Sequence, residues 1–163
     1  MSKRLIGILL AIVIAGVLSE CSSANRNSEG VITESGDVDA FETKVGDCFS
    51  SLPDASSQNE MIEFKSLQAV PCTEPHKWQV VQKGYITQLE DYSADSIQEI
   101  ANGICDNALN ALINSLSLTK LNEYRDADTT NFVPTYKSWA NDDRTVDCLV
   151  GSDTTTYFTS IFE

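Results

Sequence analysis

The first hydrophobic block of the chain lies between a basic start and a cysteine. Residues 5–18 (LIGILLAIVIAGVL) carry no charge, follow Lys3 and Arg4, and end shortly before Cys21. As a helix they would reach about 21 Å, which is short of the roughly 30 Å hydrocarbon core of a bilayer. The pattern predicts a signal peptide over residues 1–20 rather than a permanent transmembrane anchor.

Polar residues dominate the next stretch. Residues 21–42 are rich in Ser, Asn, Gly and acids, and their apolar residues show no sustained period. This composition predicts a flexible acidic tether with a root-mean-square reach of about 25 Å. Residues 43–163 have the size of one common domain and contain no repeat. We therefore expect one folded domain that stands clear of the lipid headgroups.

Two periodicities alternate within this domain. Residues 61–72 and 76–87 alternate loosely and contain β-branched and aromatic residues, which predicts two neighbouring strands. Residues 96–113 place their apolar side chains on one side at 100° per residue, which predicts an amphipathic helix. Ser96, or Ser93 one turn earlier, is the candidate N-cap. The apolar arc consists of Ile97, Ile100, Ala101, Ile104, Cys105, Ala108, Leu109, Ala111 and Leu112.

The C-terminal third of the domain predicts further strands. After a polar link over residues 121–126, residues 132–139 and 144–150 read as two strands joined by an Asn/Asp turn. Residues 155–162 are rich in Thr, Tyr, Phe and Ile, which predicts a final strand. The expected fold class is α+β, with an antiparallel sheet, one long amphipathic helix packed on it, and two disulfides.

The disulfide expectation rests on the cysteine count. With Cys21 set aside, Cys48, Cys72, Cys105 and Cys148 form an even set in a chain predicted to be exported. Spacing alone does not choose among the three pairings. Because Cys105 lies on the apolar arc and Cys148 in an alternating strand, we favour this pair together with Cys48–Cys72. A zinc site fits poorly, since the chain has one His and no C-x-x-C motif.

The sequence Leu18-Ser19-Glu20-Cys21 resembles the bacterial lipobox, in which the cysteine is diacylated and becomes the new N-terminus. Glu20 departs from the small residue that usually precedes this cysteine, and cleavage after Ala24 by an ordinary signal peptidase is the alternative. The resemblance implies a lipid such as palmitate on Cys21. The expected location is the outer face of the cytoplasmic membrane.

Charge narrows the classes of partner. Removal of residues 1–20 takes away Lys3, Arg4 and Glu20 and leaves 9 basic and 23 acidic residues, a formal charge of −14. Such a surface repels nucleic acid at long range and attracts cationic groups. We expect no nucleic-acid partner. Solubility alone also explains the acids.

An ordered set of motifs resembles the septum-formation family of actinobacterial envelope proteins. It comprises G-D-C-F at 46–49, C-x-x-P-H at 72–76, Cys105, Pro134-Thr135 with Ser138-Trp139, and W-x-x-x-D-R-x-V-x-C at 139–148. The resemblance spans about residues 44–150. It implies a membrane-anchored protein of the cell envelope linked to cell division, whose partners are unknown envelope or division proteins.

Two positions depart from the family pattern. Gln79 stands where the family tends to have an acid three residues after the His, which argues against an essential carboxylate–His relay. Asp142 stands where the family tends to have Gly. Asp tolerates the left-handed turn conformation better than most residues, so this change is mild.

The candidate functional side chains are few. His76 is the only histidine and the only side chain suited to acid–base work near neutral pH. Trp78, Trp139 and Arg144 are candidate binding residues, although large aromatics in a small sheet domain usually belong to the core. The acid pairs Asp126 with Asp128 and Asp142 with Asp143 lack the full calcium-loop pattern and favour solvated turns.

Three functions follow. A non-catalytic, lipid-anchored interaction or scaffold domain is the first, without cofactor or metal. The alternatives are a ligand-binding lipoprotein for a cationic solute or a wall fragment, and a small hydrolase that uses His76. No G-x-S-x-G motif supports the hydrolase.

Overall fold

The computed structural model describes residues 23–53 and 64–163. In chain order its elements are β1 (Asn25–Arg26), β2 (Ile32–Glu34), β3 (Gly36–Asp39), β4 (Cys48–Phe49), β5 (Ser66–Val70), β6 (Trp78–Tyr85), α1 (Ala94–Ser115), α2 (Leu118–Glu123), β7 (Asp128–Phe132), α3 (Tyr136–Trp139) and β8 (Thr145–Gly151). The predicted strands at 61–72 and 76–87 correspond to β5 and β6, with residues 61–63 outside the described part. The signal peptide and Cys21 also lie outside it.

One antiparallel sheet organises the molecule. Its strand order is β3-β5-β4-β6-β8-β7, and β1 and β2 form a separate two-stranded sheet. The central pair β6–β8 runs from Trp78 opposite Gly151 to Tyr85 opposite Thr145, with an irregularity between Val80 and Gln82. With α1 packed on this sheet, the α+β class is confirmed.

The long helix follows its predicted arc. Ile97, Ala101 and Cys105 are buried, and α1 packs on β6, β7 and β8. Ser93 caps the helix by accepting a hydrogen bond from the Ser96 backbone N–H at 3.4 Å. Ala111 is exposed, so the buried arc is narrower than predicted at its C-terminal end.

The sheet has an apolar core on each face. On the α1 face, Val146, Cys148 and Val150 join the helix residues in one buried cluster. The second face carries a separate buried cluster, which includes Phe49, Ala69, Trp78, Val80 and Leu149, with Ile32 of β2 packed into it. Strand alternation sends neighbouring residues of β8 to opposite clusters.

Both predicted disulfides are confirmed. Cys48 is bonded to Cys72 and Cys105 to Cys148, each with a Cα–Cα distance of 5.3 Å. The second bridge joins α1 to β8, so it fixes the helix on the sheet.

The prediction of a flexible tether over 21–42 is wrong for the described residues. Residues 36–39 pair with β5 as an edge strand of the main sheet. Ile32 and Val38 are only 4% and 6% exposed. The apolar residues of this segment are too sparse to show a period, yet burial against β5 and the second core cluster stabilises them.

The strand predicted over 132–139 is also wrong. β7 ends at Phe132, and residues 136–139 form the short helix α3. Thr135 and Ser138 form a capping box, in which each side chain bonds the backbone N–H of the other. This reciprocal cap favours a helical turn over a strand. Asp142 has φ 64°, so the expected left-handed turn follows α3.

The end of the chain differs from the prediction as well. Residues 155–162 form no strand beyond one bridge between Tyr157 and His76. Their backbone groups bond side chains instead, as in the Ile161 N–H that donates to Gln79 Oε1 at 2.8 Å. The predicted polar link contains part of α2, which Ser117 caps.

Candidate functional site

A groove of about 980 Å³ runs along the second face of the sheet and round its β7 edge. Trp78 and Phe132 contribute apolar surface, and Lys83 and Asp147 contribute charge. Pro53 and Phe64, which border the undescribed residues 54–63, line one side. The groove has the volume of a small-molecule site.

A partly buried ion pair lines the groove. Lys83 and Asp147 face each other across β6 and β8, with Lys83 Nζ 2.9 Å from Asp147 Oδ1. Lys83 also donates to Thr43 O at 2.8 Å and Thr43 Oγ1 at 2.9 Å, and Thr43 Oγ1 donates to Asp147 Oδ2. Asp147 is 3% exposed. Burial raises the pKa of its carboxyl, although the bonds from Thr43 and Lys83 oppose this effect.

The aromatic residues of the groove are held in place. Trp78 is 5% exposed and its Nε1 donates to Asp153 Oδ1 at 3.0 Å. The rings of Phe64 and Phe132 meet edge to face with centroids 4.7 Å apart. Trp78 is therefore mainly a core residue, and one side of its indole also borders the groove.

His76 does not belong to this groove. It is 1% exposed, and its backbone exchanges hydrogen bonds of 3.0 Å and 2.8 Å with Tyr157. Nδ1 lies 2.9 Å from the Glu74 carbonyl oxygen, so Nδ1 carries the proton and donates. Nε2 is buried without a hydrogen-bond partner among the described residues. Burial lowers the pKa of His76, which keeps the imidazole neutral.

Trp139 and Arg144 form a second cluster, separate from Trp78. The Arg144 guanidinium lies 3.6 Å from the centroid of the Trp139 ring and donates to the Trp139 carbonyl oxygen at 2.8 Å. Tyr92 meets both Trp139 and Tyr136 edge to face. Trp139 belongs to the α1-side core, and Tyr136 is 73% exposed. The structure thus places the two tryptophans in different clusters, and one groove does not contain both.

The acid pairs have other contacts. Asp126 pairs with Arg125 at 3.1 Å at the surface, which lowers the pKa of its carboxyl. Asp143 Oδ1 accepts the Thr145 N–H at 3.0 Å within the turn. Among residues 23–53 and 64–163, no group of three His, Cys, Asp or Glu side chains is arranged to hold a metal.

Sequence patterns alone did not predict the hydrogen-bond and ion-pair partners Thr43, Gln79, Lys83 and Asp147. Gln79 is 1% exposed and bonds the Ser160 hydroxyl at 2.8 Å. Alternation in 144–150 places Asp147 on the same face as Leu149, which is a detectable signal of a buried acid. Its pairing with Lys83 depends on the irregular register of β6, which no sequence pattern reveals.

The described part of the chain holds no helix with the length and apolarity to cross a membrane. Comparison with protein-family models, with curated proteins and with solved structures found no match to this chain.

Proposed function

We propose that this protein is a non-catalytic interaction domain of the cell envelope, held on the outer face of the cytoplasmic membrane by a lipid on Cys21. The observation that carries the proposal is the groove on the second face of the sheet, which apolar side chains and the Lys83–Asp147 pair line together. Fixed charges within an apolar groove select the register of a bound segment. The hydrophobic block and the Cys21 motif support the location.

The resemblance to the septum-formation family extends this proposal to division or wall assembly. The G-D-C-F motif at 46–49 and the segment 139–148 support it, because each contributes a cysteine to one of the two disulfides. A fluorescent fusion is expected to concentrate at the septum. An even distribution over dividing cells would remove the link to division and leave the interaction domain.

Site-specific photo-crosslinking in intact cells tests the groove. Lys137 is exposed and borders the groove, whereas Leu118 is 80% exposed and is not among its lining residues. A photo-reactive amino acid at Lys137 is expected to capture a discrete partner that the same group at Leu118 does not. Equal capture at both positions, or none at Lys137, would contradict a partner in the groove.

The second candidate is a ligand-binding lipoprotein for a cationic solute or wall fragment. The carboxylates of Asp39, Asp143 and Asp153 line the groove and favour this chemistry. A ligand at one hundred times its Kd would stabilise the domain by about 2.7 kcal/mol. A thermal-shift screen of cationic amines, metals and muropeptides without stabilisation would exclude it.

The hydrolase alternative has less support. His76 is buried, neutral and bonded to the Glu74 carbonyl, and it borders the C-terminal segment instead of the groove. This geometry favours a structural role for His76 over a catalytic one.

A further inference from the structure

The N-terminal residues of the described chain are fastened to the domain at two points. Ser23 bridges Asp37, and the Ala24 N–H donates to the Asp37 carbonyl oxygen at 3.0 Å. Three residues later, Arg26 makes two bonds to Asp47, of 2.6 Å and 2.7 Å. Asp47 is 3% exposed, so the second fastening is anchored inside the domain.

The chain between the attachment points is also part of the fold. Arg26 Nη1 donates to the Gly30 carbonyl oxygen at 2.7 Å, which closes the turn between β1 and β2. Ile32 is buried in the second core cluster, and β3 continues from the hairpin into the main sheet. The Asp47 carboxylate accepts the two hydrogen bonds from Arg26, which raises the pKa of the Arg26 guanidinium.

Only two residue steps separate Cys21 from Ser23. A chain of this length spans at most about 7 Å, however it runs. A flexible coil over 21–42 would have reached about 25 Å. A domain of this size has a radius of gyration of about 14 Å. The link is therefore much shorter than the body that it holds.

We propose that the domain has no spacer, so that a lipid on Cys21 holds the hairpin end around Ser23 and Asp37 directly against the lipid headgroups. This inference rests on the anchoring in the proposed function. It implies that partners are reached at the level of the headgroups, in or on the membrane itself, and not at a distance within the wall.

The acidic charge of the hairpin end bears on what would hold it at the membrane surface. Glu34, opposite Asn25 in the hairpin, is exposed, and the Ser35 hydroxyl bonds Glu74 at 3.0 Å nearby. Acidic side chains are repelled by anionic headgroups. The covalent lipid must therefore supply the attachment, and the chain without lipid is expected to leave anionic vesicles unbound.

Energy transfer to a bilayer tests the distance. The chain from Cys21 onward would receive a maleimide-linked lipid on Cys21, the thiol that both disulfides leave free, and a donor dye through an unnatural amino acid at Glu34. Vesicles of phosphatidylcholine and phosphatidylglycerol would carry a headgroup acceptor. We expect transfer to fall about twofold when a flexible Gly/Ser insert of about 20 residues separates Ser22 from Ser23, because the insert adds about 25 Å of reach.

Matched variants distinguish loss of the Arg26–Asp47 attachment from general unfolding. Arg26→Ala is expected to lower the transfer partway towards the value of the insert. Arg125→Ala removes an exposed ion pair elsewhere and is expected to leave transfer unchanged. Near-ultraviolet circular dichroism would show that each variant is folded. Equal transfer with and without the insert, in folded and lipidated protein, would overturn the inference that the domain has no spacer. It would leave the proposed lipid anchoring untouched.

Mass spectrometry of the protein from cells tests the anchoring separately. A diacylated Cys21 at the N-terminus supports both proposals. A product that begins at Asn25 would overturn the anchored state and with it this inference, whatever the vesicles show.

Discussion

Two glycines offer opposite tests at the scale of single residues. A Cβ on Gly151 would lie 2.0 Å from the Lys77 carbonyl oxygen and 2.7 Å from Trp78 Cα, so the backbones of β6 and β8 would have to separate. We expect Gly151→Ala to lower the free energy of unfolding by about 3 kcal/mol. A Cβ on Gly103, on the exposed side of α1, would meet open space, so Gly103→Ala is expected to raise the free energy of unfolding by about 0.5–1 kcal/mol. Urea unfolding measures both, and equal effects would contradict the close strand contact.

His76 gives the domain a defined dependence on pH. Its folded pKa lies below the ordinary value of 6.5, so the unfolded chain binds the proton first as the pH falls. The stability contributed by neutral His76 is present above pH 6.5 and is lost as the pH falls through the folded pKa. The slope in this window is at most about 1.4 kcal/mol per pH unit.

The variant His76→Asn tests this linkage, because Asn can still donate to the Glu74 carbonyl and does not titrate. We expect it to flatten the pH profile of unfolding free energy below pH 6.5, with some loss of stability from the smaller side chain. An unchanged profile would assign the dependence to other groups. Asp147 changes stability in the opposite direction. Its folded pKa is raised, so as the pH falls towards 3.8 the folded state takes up the proton first, and protonation removes the cost of burying the charge.

At the scale of elements, the Arg26–Asp47 ion pair is one of the contacts that hold the β1–β2 hairpin on the domain. Arg26→Ala would leave the Asp47 carboxylate buried without its cation, and we expect a loss of about 3 kcal/mol in unfolding free energy. Adding Asp47→Ala should recover part of this loss, because the unpaired charge is then removed. A double-mutant cycle measures the coupling. Purely additive losses would show that the pair does not fasten the hairpin.

The two disulfides are not equivalent. Cys105–Cys148 closes a separation of 43 residues and Cys48–Cys72 one of 24. The chain-entropy estimate gives about 4.0 and 3.5 kcal/mol, so loop length alone favours the first by only about 0.5 kcal/mol. Removal of Cys105–Cys148 also loosens α1 in the core, so we expect the double Ala variant there to be the less stable. Denaturant midpoints of the two double variants decide the order.

The helix α1 could be predicted because its apolar period persists over five turns, and β8 because Val146, Cys148 and Val150 alternate with residues of the other face. β3 could not, since two of its four residues are Asp and its burial depends on β5. The prediction of a strand at 155–162 was wrong because side chains, not a neighbouring strand, bond its backbone. These side chains belong to Gln79, Lys120 and Tyr124. The candidate site residues could be chosen by their side-chain chemistry. Which of them lie close together depends on the strand register, which the sequence does not reveal.

At the scale of the whole molecule, charge is the dominant feature. The chain from Cys21 carries a formal charge of −14, and self-repulsion of this size destabilises a compact state. We expect the melting temperature to rise by a few degrees between low salt and about 0.5 M NaCl, as the Debye length shortens. Calorimetry with NaCl measures this rise. A fall would show that attractive pairs such as Lys83–Asp147 outweigh the repulsion.

The position of β8 in the sheet determines when the domain can be completed. β6 needs β8 as its neighbour, and residues of these strands that face each other, such as Trp78 and Gly151, are far apart in sequence. A chain that crosses a membrane from its N-terminus therefore exposes one edge of β6 until almost the last residues have emerged. Such long-range pairing folds slowly and leaves an edge open to other chains. The proposed export therefore predicts an interval in which an incomplete sheet is vulnerable to aggregation and proteolysis.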